Sequence, residues 1–219
     1  MNDTVSKSVH FDFKDVQLAN ITPNIDSLHL SGLVNGSLDY DQLYQQLKPS
    51  ANLSVSDFYI NNSDQGNLRI DIAGKNSFKN YDLDIQLNRD GIPSLSAVGE
   101  LDFSGAEPTM DVNLNFEAFK LDAFSPLGED VFTNIKGYAY GDAHLTGIIA
   151  NPTMEGTLFL DRAGLYFPYL NIAYDFEGTS VIEMTDQKFT FFDVPLYDPK
   201  YQTRGALKGT LRHKHFKDW

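Results

Sequence analysis

The 219-residue chain contains no cysteine, one tryptophan and four methionines. The absence of cysteine excludes disulfide bonds, thiolate zinc sites and a cysteine nucleophile. The chain also has no run of about 18 apolar residues, the length that a membrane-spanning helix requires. Its opening residues, MNDTVSKSVHFDF, lack the apolar core of a secretory signal peptide. We therefore expect any export signal to lie outside these residues, and we interpret the chain as a fragment of a longer protein.

Positive charge is scarce. Lysine and arginine total 17 against 30 aspartates and glutamates, which gives a net charge of -13 and an isoelectric point near 4.6. This balance argues against nucleic acid as a partner, because lysine and arginine drive binding to phosphates. It argues equally against flat docking onto anionic lipid headgroups. Hydrophobic residues make up 42% of the chain, which is enough to form a packed core rather than a disordered segment.

Recognisable catalytic and metal-binding motifs are absent as well. No Gly-x-Ser-x-Gly elbow supports a hydrolase. His213 and His215 stand two residues apart, but no third ligand follows at a metal-site spacing, so the segment RHKHFK is interpreted as a solvated basic tip. Asp82 and Asp84 share the polar side of a predicted strand and are interpreted as solvated. We therefore predict no enzyme activity, no cofactor and no metal site.

Strict alternation of apolar and polar residues is what the sequence does contain. In YDLDIQL (81–87) and TMDVNLNFE (109–117), apolar side chains alternate with aspartate, asparagine and glutamine. This period of two predicts strands with one dry face and one wet face. Sheets with one wet face are usually antiparallel. The sequence therefore predicts an all-β fold that spans residues 1–219 as a single β-rich segment.

One stretch has a helical period. In DYDQLYQQLKP, apolar residues recur at the spacing of one helix face and a proline follows them: Tyr40, Leu43, Tyr44, Leu47 and Pro49. This pattern predicts one short amphipathic helix. A further turn of helix is expected within LDAFSPLGEDVF (121–132), where a proline and a glycine keep it short.

A short repeat adds an indication of modular construction. The segment Pro-Thr-Met-Asp at 108–111 returns as Pro-Thr-Met-Glu at 152–155, with the two copies 44 residues apart. A glycine lies shortly before each copy and an alternating strand follows it. A period of this size predicts stacked units that bury their apolar faces on neighbouring repeats of the same chain.

The second half of the chain resembles a known family. The segments GYAYGDAHLTGIIANPTMEGTLFLDRAGLYFPYLNIAYDFEGTSVIEM and KFTFFDVPLYDPKYQTRGALKGTLRHKHF resemble the TamB-like (translocation and assembly module) branch of the AsmA-like proteins. The likeness rests on a Gly-x-x-x-Leu-x-Gly motif, a following proline and a Gly-x-Leu: Gly141, Leu145, Gly147, Pro152, Gly156 and Leu158. It is stronger over 94–216 and weaker over 1–93.

The resemblance implies a fold and a function. It implies a long, folded-over sheet, antiparallel or solenoid-like, with an apolar concave groove. It also implies a periplasmic protein, anchored in the inner membrane at full length, that carries phospholipid between the inner and outer membranes. The implied partner is an outer-membrane barrel protein of the TamA or Omp-assembly type. The family offers no catalytic residue to transfer.

The apolar positions of the predicted strands are the candidate lipid-groove residues. They are Leu83, Ile85, Leu87, Leu101, Phe103, Val112, Leu114, Phe116, Leu145, Leu158, Leu160, Tyr166, Ile172 and Tyr174. The same pattern equally predicts a closed interior in which these side chains contact only one another. A structural or adhesive β-solenoid or sandwich is therefore the alternative function. It would bind a protein or glycan on its polar face, near Asp82 or Asn113.

Overall fold

The computed structural model describes residues 6–22, 28–43, 46–75, 77–128 and 131–214. Within these ranges, thirteen strands form one antiparallel sheet, so the all-β prediction is confirmed. The strands are β1 (Lys7–Gln17), β2 (Leu30–Leu43), β3 (Gln46–Ile60), β4 (Ser63–Gly74), β5 (Asn80–Arg89), β6 (Ile92–Asp102), β7 (Thr109–Lys120), β8 (Thr133–Ile148), β9 (Thr153–Phe167), β10 (Ile172–Phe176), β11 (Ser180–Thr185), β12 (Lys188–Asp198) and β13 (Thr203–Arg212).

The strands follow one another as a meander. Each strand from β1 to β9 pairs with the next in the chain. β12 then pairs with β10, β11 and β13, and β11 also pairs with β9. In the described ranges, three 3-10 helices interrupt the strands: Leu18–Asn20, Leu121–Gly128 and Pro168–Leu170. The second of these, Leu121–Gly128, is the plug helix and lies within the segment for which a turn of helix is predicted.

The alternating pattern gives the sheet two unlike faces. Cross-strand partners point to the same face, and Leu83 of β5 pairs with Ile72 of β4 and Gly99 of β6. Asp82, one residue earlier, pairs with Ala73 and Glu100 on the opposite face. The face that carries Leu83 is called the inner face, and the face that carries Asp82 is called the outer face.

Bulges bend the long strands. A bulge inserts one unpaired residue, bends its strand and increases the local twist. Register shifts involve β1, β2, β3, β7, β8, β9 and β12. Residues with positive φ at these shifts include Asp15, Gly32, Asp57, Ala118, Asn134, Gly137, Arg162 and Asp193. Repeated bends of this kind let a single sheet fold over its own inner face.

Gly141, from the family-like motif, shows why a glycine is needed on that face. Its φ is +119°, a region that other residues rarely adopt. It pairs with Phe116 on one side and Leu158 on the other. A Cβ at this position would clash with the carbonyl oxygen of Thr157 in β9. Glycine at this position therefore allows β8 and β9 to approach closely between the side chains of Phe116 and Leu158.

The helix predicted from DYDQLYQQLKP is wrong. Tyr40 and Leu43 lie in β2 and Leu47 lies in β3, while Tyr44 lies outside the described residues. Pro49 pairs with Tyr40, and β4 pairs with β3 only from Ser50 onward. Pro49, which has no backbone N–H to donate, therefore lies outside the hydrogen-bond ladder between β3 and β4. Apolar and polar residues also alternate with a period of two over Leu38, Asp39, Tyr40 and Asp41. Pairing with neighbouring strands selects this strand pattern over the helical one.

The 44-residue repeat corresponds to a strand pair of the meander. Pro108 and Pro152 each stand immediately before a strand, β7 and β9 respectively, and β8 lies between those strands. The two copies therefore begin alternate strands of one continuous sheet, at the same end of it.

Among the residues that the structure describes, the buried apolar side chains form two clusters. The larger draws on β2, β3, β5, β7 to β12 and the plug helix, and it includes Leu87, Phe119 and Leu160. The smaller joins Leu83, Ala97 and Val112 of three neighbouring strands. The larger cluster unites strands distant in sequence, which places it where the folded sheet closes on itself.

Candidate functional site

The inner face is organised in rows that cross the strands. In β1 to β5, the ladder register gives four successive rows, each two residues deeper than the last. The rim row is Val9, Tyr40, Pro49 and Tyr81; the mouth row is Phe11, Leu38, Ala51, Ile72 and Leu83; the middle row is Phe13, Gly36, Leu53, Ile70 and Ile85; the deep row is Val34, Val55, Leu68 and Leu87. The pairing of strands thus brings residues from distant parts of the sequence to one depth.

A cavity of about 470 Å³ opens at the shallow end of these rows. This cavity and its walls are called the apolar mouth. The lining residues are Val9, Phe11, Leu38, Asp39, Tyr40, Pro49, Ser50, Ala51, Ile72, Phe78, Tyr81, Leu101 and Phe103. Only two of them, Asp39 and Ser50, are neither apolar nor aromatic. The mouth therefore offers an almost wholly apolar surface.

Several large side chains of the mouth remain exposed to solvent. Phe11 is 60% exposed, Phe78 55%, Val9 44%, Phe103 43% and Leu38 37%. Two aromatic pairs hold part of this wall: Tyr40 stacks on Phe78 at 5.1 Å, and Tyr81 meets Phe103 edge-on at 5.7 Å. A contiguous exposed apolar patch on a folded protein marks a binding surface for a ligand or partner.

Polar groups lie at the edge of the mouth, on the outer face of β1 and β2. The ring nitrogens of His10 lie 2.5 Å from Asp39 Oδ1 and 3.0 Å from Asp12 Oδ1. The hydrogen bond to Asp39, together with the charge of Asp12, raises the pKa of His10 above its ordinary 6.5. The same hydrogen bond, reinforced by Ser37, lowers the pKa of Asp39. The mouth thus has an apolar wall and a hydrogen-bonding edge.

The opposite end of the same strands is closed by the plug helix. Leu121 is 6% exposed and Ala123 is fully buried. Asn61 Nδ2 donates a 2.9 Å hydrogen bond to the carbonyl oxygen of Ala123, and the Ser63 hydroxyl donates to Asp122. Because Asn61 and Ser63 flank the β3–β4 turn, these bonds tie the β7–β8 connection across to the other side of the fold.

Aromatic packing fills the space behind the plug helix. Phe119 stacks on Phe124 at 5.5 Å and meets Phe116 edge-on at 5.8 Å. Ser125 accepts a 2.8 Å hydrogen bond from the amide of Ile135. The interior is therefore packed at this end and open at the other.

The predicted groove residues fall into distinct environments. Leu101 and Phe103 line the mouth. Leu83, Leu87, Val112 and Leu160 are buried among other side chains of the core. The remaining residues, apart from Tyr166, are half-buried on the inner face: Ile85, Leu114, Phe116, Leu145, Leu158, Ile172 and Tyr174.

Tyr166 belongs to the other face of the sheet. It pairs with Ala173, whereas Ile172 and Tyr174 pair with Phe167 and Leu165. Alternation along β10 therefore puts Tyr166 opposite to the two predicted companions. Its hydroxyl donates a 2.8 Å hydrogen bond to Asn171. A bulge with positive φ at Arg162 precedes it in β9, and it shifts the alternation that a count along the sequence assumes.

Most of the mouth was not among the predicted groove residues. Val9, Phe11, Leu38 and Tyr40 lie in the first 93 residues, where the family likeness is weaker. A signal was present, because the apolar residues of VHF and LDY alternate with polar ones. Phe78 lies in a loop, outside any strand, so no periodicity points to it.

The outer face carries paired charges. Lys75 Nζ lies 2.6 Å from Glu100 and 2.9 Å from Asp82, and these bonds raise the pKa of Lys75. Asp82 is therefore ion-paired rather than merely solvated. His213 is buried beside the ring of Phe189, 5.3 Å away, so its interpretation as part of a solvated tip is wrong; His215 lies outside the described residues. Across the described ranges, no group of three or more metal-ligating side chains occurs.

The fold and the mouth define an all-β protein made of one folded-over antiparallel sheet with an apolar cavity at one end. Comparison with protein-family models, with curated proteins and with solved structures gives no significant match. In the part of the chain that the structure describes, no helix has the length and apolar character needed to cross a membrane.

Proposed function

We propose that this chain is a non-enzymatic segment of a cell-envelope protein whose apolar inner face shelters phospholipid acyl chains in transit between inner and outer membranes. The observation that carries the proposal is the apolar mouth, where five large exposed side chains surround a cavity of about 470 Å³. That volume lies within the range of about 300–1,000 Å³ typical of small-molecule sites. The likeness to TamB-like proteins supports the same function.

The energetics of lipid transfer explain the value of such a surface. Each methylene group of an acyl chain that leaves water for an apolar site contributes about 0.8 kcal/mol. Phe11, Leu38 and Phe78 offer hydrocarbon contacts without a buried charge. The headgroup of a bound lipid would remain near the edge, where His10 and Asp39 provide hydrogen-bonding groups.

The proposed setting is the periplasm, with the full-length protein anchored in the inner membrane. An outer-membrane barrel protein of the TamA or Omp-assembly type is the proposed partner at the receiving membrane. Neighbouring repeats of the same chain are proposed to extend the sheet. In the described residues β1 and β13 each pair on one side only, and an unpaired strand edge is a template for adding a further strand.

Lipid extraction from the purified protein tests the proposal. Mass spectrometry of the extract is expected to find phospholipid at a defined ratio to protein. A photo-crosslinking residue at Phe11 or Phe78 is expected to capture that lipid, whereas the same residue at Asn52, on the outer face, is expected to capture none. Absence of lipid from every inner-face position would contradict the proposal.

A pair of substitutions separates binding from folding. Phe78→Ala removes an exposed ring that stacks on Tyr40, so lipid binding is expected to fall several-fold while the unfolding midpoint changes little. Phe192→Ala is the matched control, because Phe192 is also 55% exposed but does not line the mouth. Equal loss of bound lipid in both variants would show that lipid binds exposed aromatic rings without preference for the mouth.

A second candidate function rests on the outer face. Tyr140 pairs with Phe159, which pairs with Val181, so three half-exposed apolar side chains form a row on the outer face. Such a row suits the structural or adhesive alternative, in which a protein or glycan binds the outer face. Phe159→Ser is expected to abolish that binding and to leave lipid content unchanged.

A further inference from the structure

The rows of the inner face bear on how a lipid would enter. Successive rows lie two residues apart along a strand, which corresponds to roughly 7 Å. In the rim row Val9 is 44% exposed, Tyr40 and Tyr81 are half-buried and Pro49 is buried. The middle-row residues Leu53, Ile70 and Ile85 are half-buried. In the deep row, Val34 and Leu87 are each 1% exposed. The inner face therefore changes from open to packed over about 20 Å.

In the part of the chain that the structure describes, the plug helix covers the packed end of these strands. The plug helix crosses the fold beyond the deep row, held by hydrogen bonds from Asn61 and Ser63. Gln65, which is 1% exposed, donates a 2.7 Å hydrogen bond to the Ser63 hydroxyl. This bond fixes the hydroxyl that donates to Asp122 of the plug helix. A chain that entered at the mouth would meet buried side chains and then the plug helix.

We infer that the apolar mouth takes a single acyl chain end-on, methyl end inward, and that the deep row and plug helix limit the length of chain it accepts. This inference rests on the proposed function. The hydrocarbon of one leaflet is roughly 15 Å deep, half of a core of about 30 Å. The span from rim row to deep row is therefore enough for the hydrocarbon of one lipid tail. A lipid held in this way leaves by the end through which it entered.

Chain-length dependence tests the inference. The probes are decanoate, myristate and stearate, each competing with a dansylated fatty acid for the purified protein. Affinity is expected to rise about tenfold for every two added methylene groups while they are buried, and then to level off before stearate. A rise that continues unchanged through stearate would overturn the length limit and leave the proposed function standing. Failure of every probe to bind would overturn both.

Substitutions in the middle row move the limit. Ile70→Phe shortens the accessible depth, so the plateau is expected at a shorter chain, and Ile70→Ala is expected to move it to a longer one. Arg69→Ala is the matched control on the outer face of the same strand, where Arg69 pairs with Asp71, and it is expected to leave the plateau in place. A plateau that is identical in all three variants would overturn the assignment of these rows.

A measurement on the unsubstituted protein covers the case in which an Ile70 variant fails to fold. A fatty acid with a diazirine at its methyl end is bound and photolysed, and the labelled peptides are identified by mass spectrometry. Label is expected on 68–72 and 83–87, the middle portions of β4 and β5. Label on 138–139 or 160–163, which the register of β8 and β9 places beyond the deep row, would show passage past that row and overturn the inference.

Discussion

The two ends of the folded sheet are built from the same strands but end differently. At one end, the connection between β7 and β8 forms the plug helix, and Ala123 is fully buried there. At the other end, the connection between β4 and β5 leaves Phe78 55% exposed. One sequence pattern thus produces both a packed core and an open cavity, and the connecting segments determine which of the two forms.

The comparison extends to hydrogen bonding. The plug helix is held by side chains 59 and 62 residues away in sequence. In the loop before β5, Ser77 accepts a hydrogen bond from the amide of Lys79, only two residues away. The side-chain bonds of the plug helix are therefore long-range and that of Ser77 is local, while the amide of Phe103 donates a 2.6 Å hydrogen bond to the carbonyl oxygen of Lys79 in the same loop.

The largest expected difference between the ends concerns stability. Leu121→Ala removes a buried side chain of the plug helix and is expected to lower the free energy of unfolding by about 2–5 kcal/mol. Phe78→Ala at the mouth is expected to change it by less than about 0.5 kcal/mol. Urea denaturation of both variants checks this. Similar losses in the two variants would mean that the mouth is as firmly packed as the closed end.

Two glycines differ in how closely neighbouring atoms approach them, and substitutions at these positions test the difference. Gly141 and Gly147 both have positive φ, but a Cβ would clash with Thr157 at Gly141 and meet nothing within 4 Å at Gly147. Gly141→Ala is therefore expected to lower the free energy of unfolding by about 1–3 kcal/mol more than Gly147→Ala. Both substitutions strain a backbone with positive φ, but only the one at 141 also overpacks the strands. Thermal unfolding of the pair measures the difference, and equal midpoints would contradict it.

The strands were predictable because their residues obey a local rule. Period-two alternation in 81–87 and 109–117 specifies a face at each position, and the structure confirms those strands as β5 and β7. The rule failed where a bulge intervenes, as at Arg162 before Tyr166, because one inserted residue reverses the alternation. It also failed near Tyr40, where two periods coincide and only pairing with β3 selects between them.

The open or packed state of the interior could not be predicted from alternation. Leu87 and Leu38 occupy equivalent positions in the pattern, yet one is 1% and the other 37% exposed. Their difference depends on the plug helix and on the loop that carries Phe78, which are connections rather than strands. The sequence contains the proline that keeps the plug helix short, but its contact with Asn61 is long-range.

An effect smaller than that of Leu121→Ala is expected when a hydrogen bond that holds the plug helix is removed. Ser63→Ala removes a buried hydroxyl that donates to Asp122 and accepts from Gln65. Loss of the hydroxyl leaves the buried side-chain amide of Gln65 without this acceptor and is expected to lower the free energy of unfolding by about 1–3 kcal/mol. Ser77→Ala, in the exposed loop at the mouth, is the control and is expected to cost less than about 0.5 kcal/mol. Hydrogen exchange at residues 121–128 should accelerate only in the Ser63 variant, and its absence would show that apolar packing alone holds the helix.

The smallest expected effect is a pH dependence at the mouth. Asp39 and Asp12 raise the pKa of His10 above 6.5, so the folded state binds this proton more tightly than the unfolded state does. The stabilisation is therefore present below pH 6.5 and is lost as the pH rises through the raised pKa. Because the group is exposed, only a slight fall in the urea midpoint is expected over that interval. His10→Gln should remove the fall, and His29→Gln should preserve it. An NMR titration that gives His10 an ordinary pKa would show that the contact with Asp39 does not persist in solution.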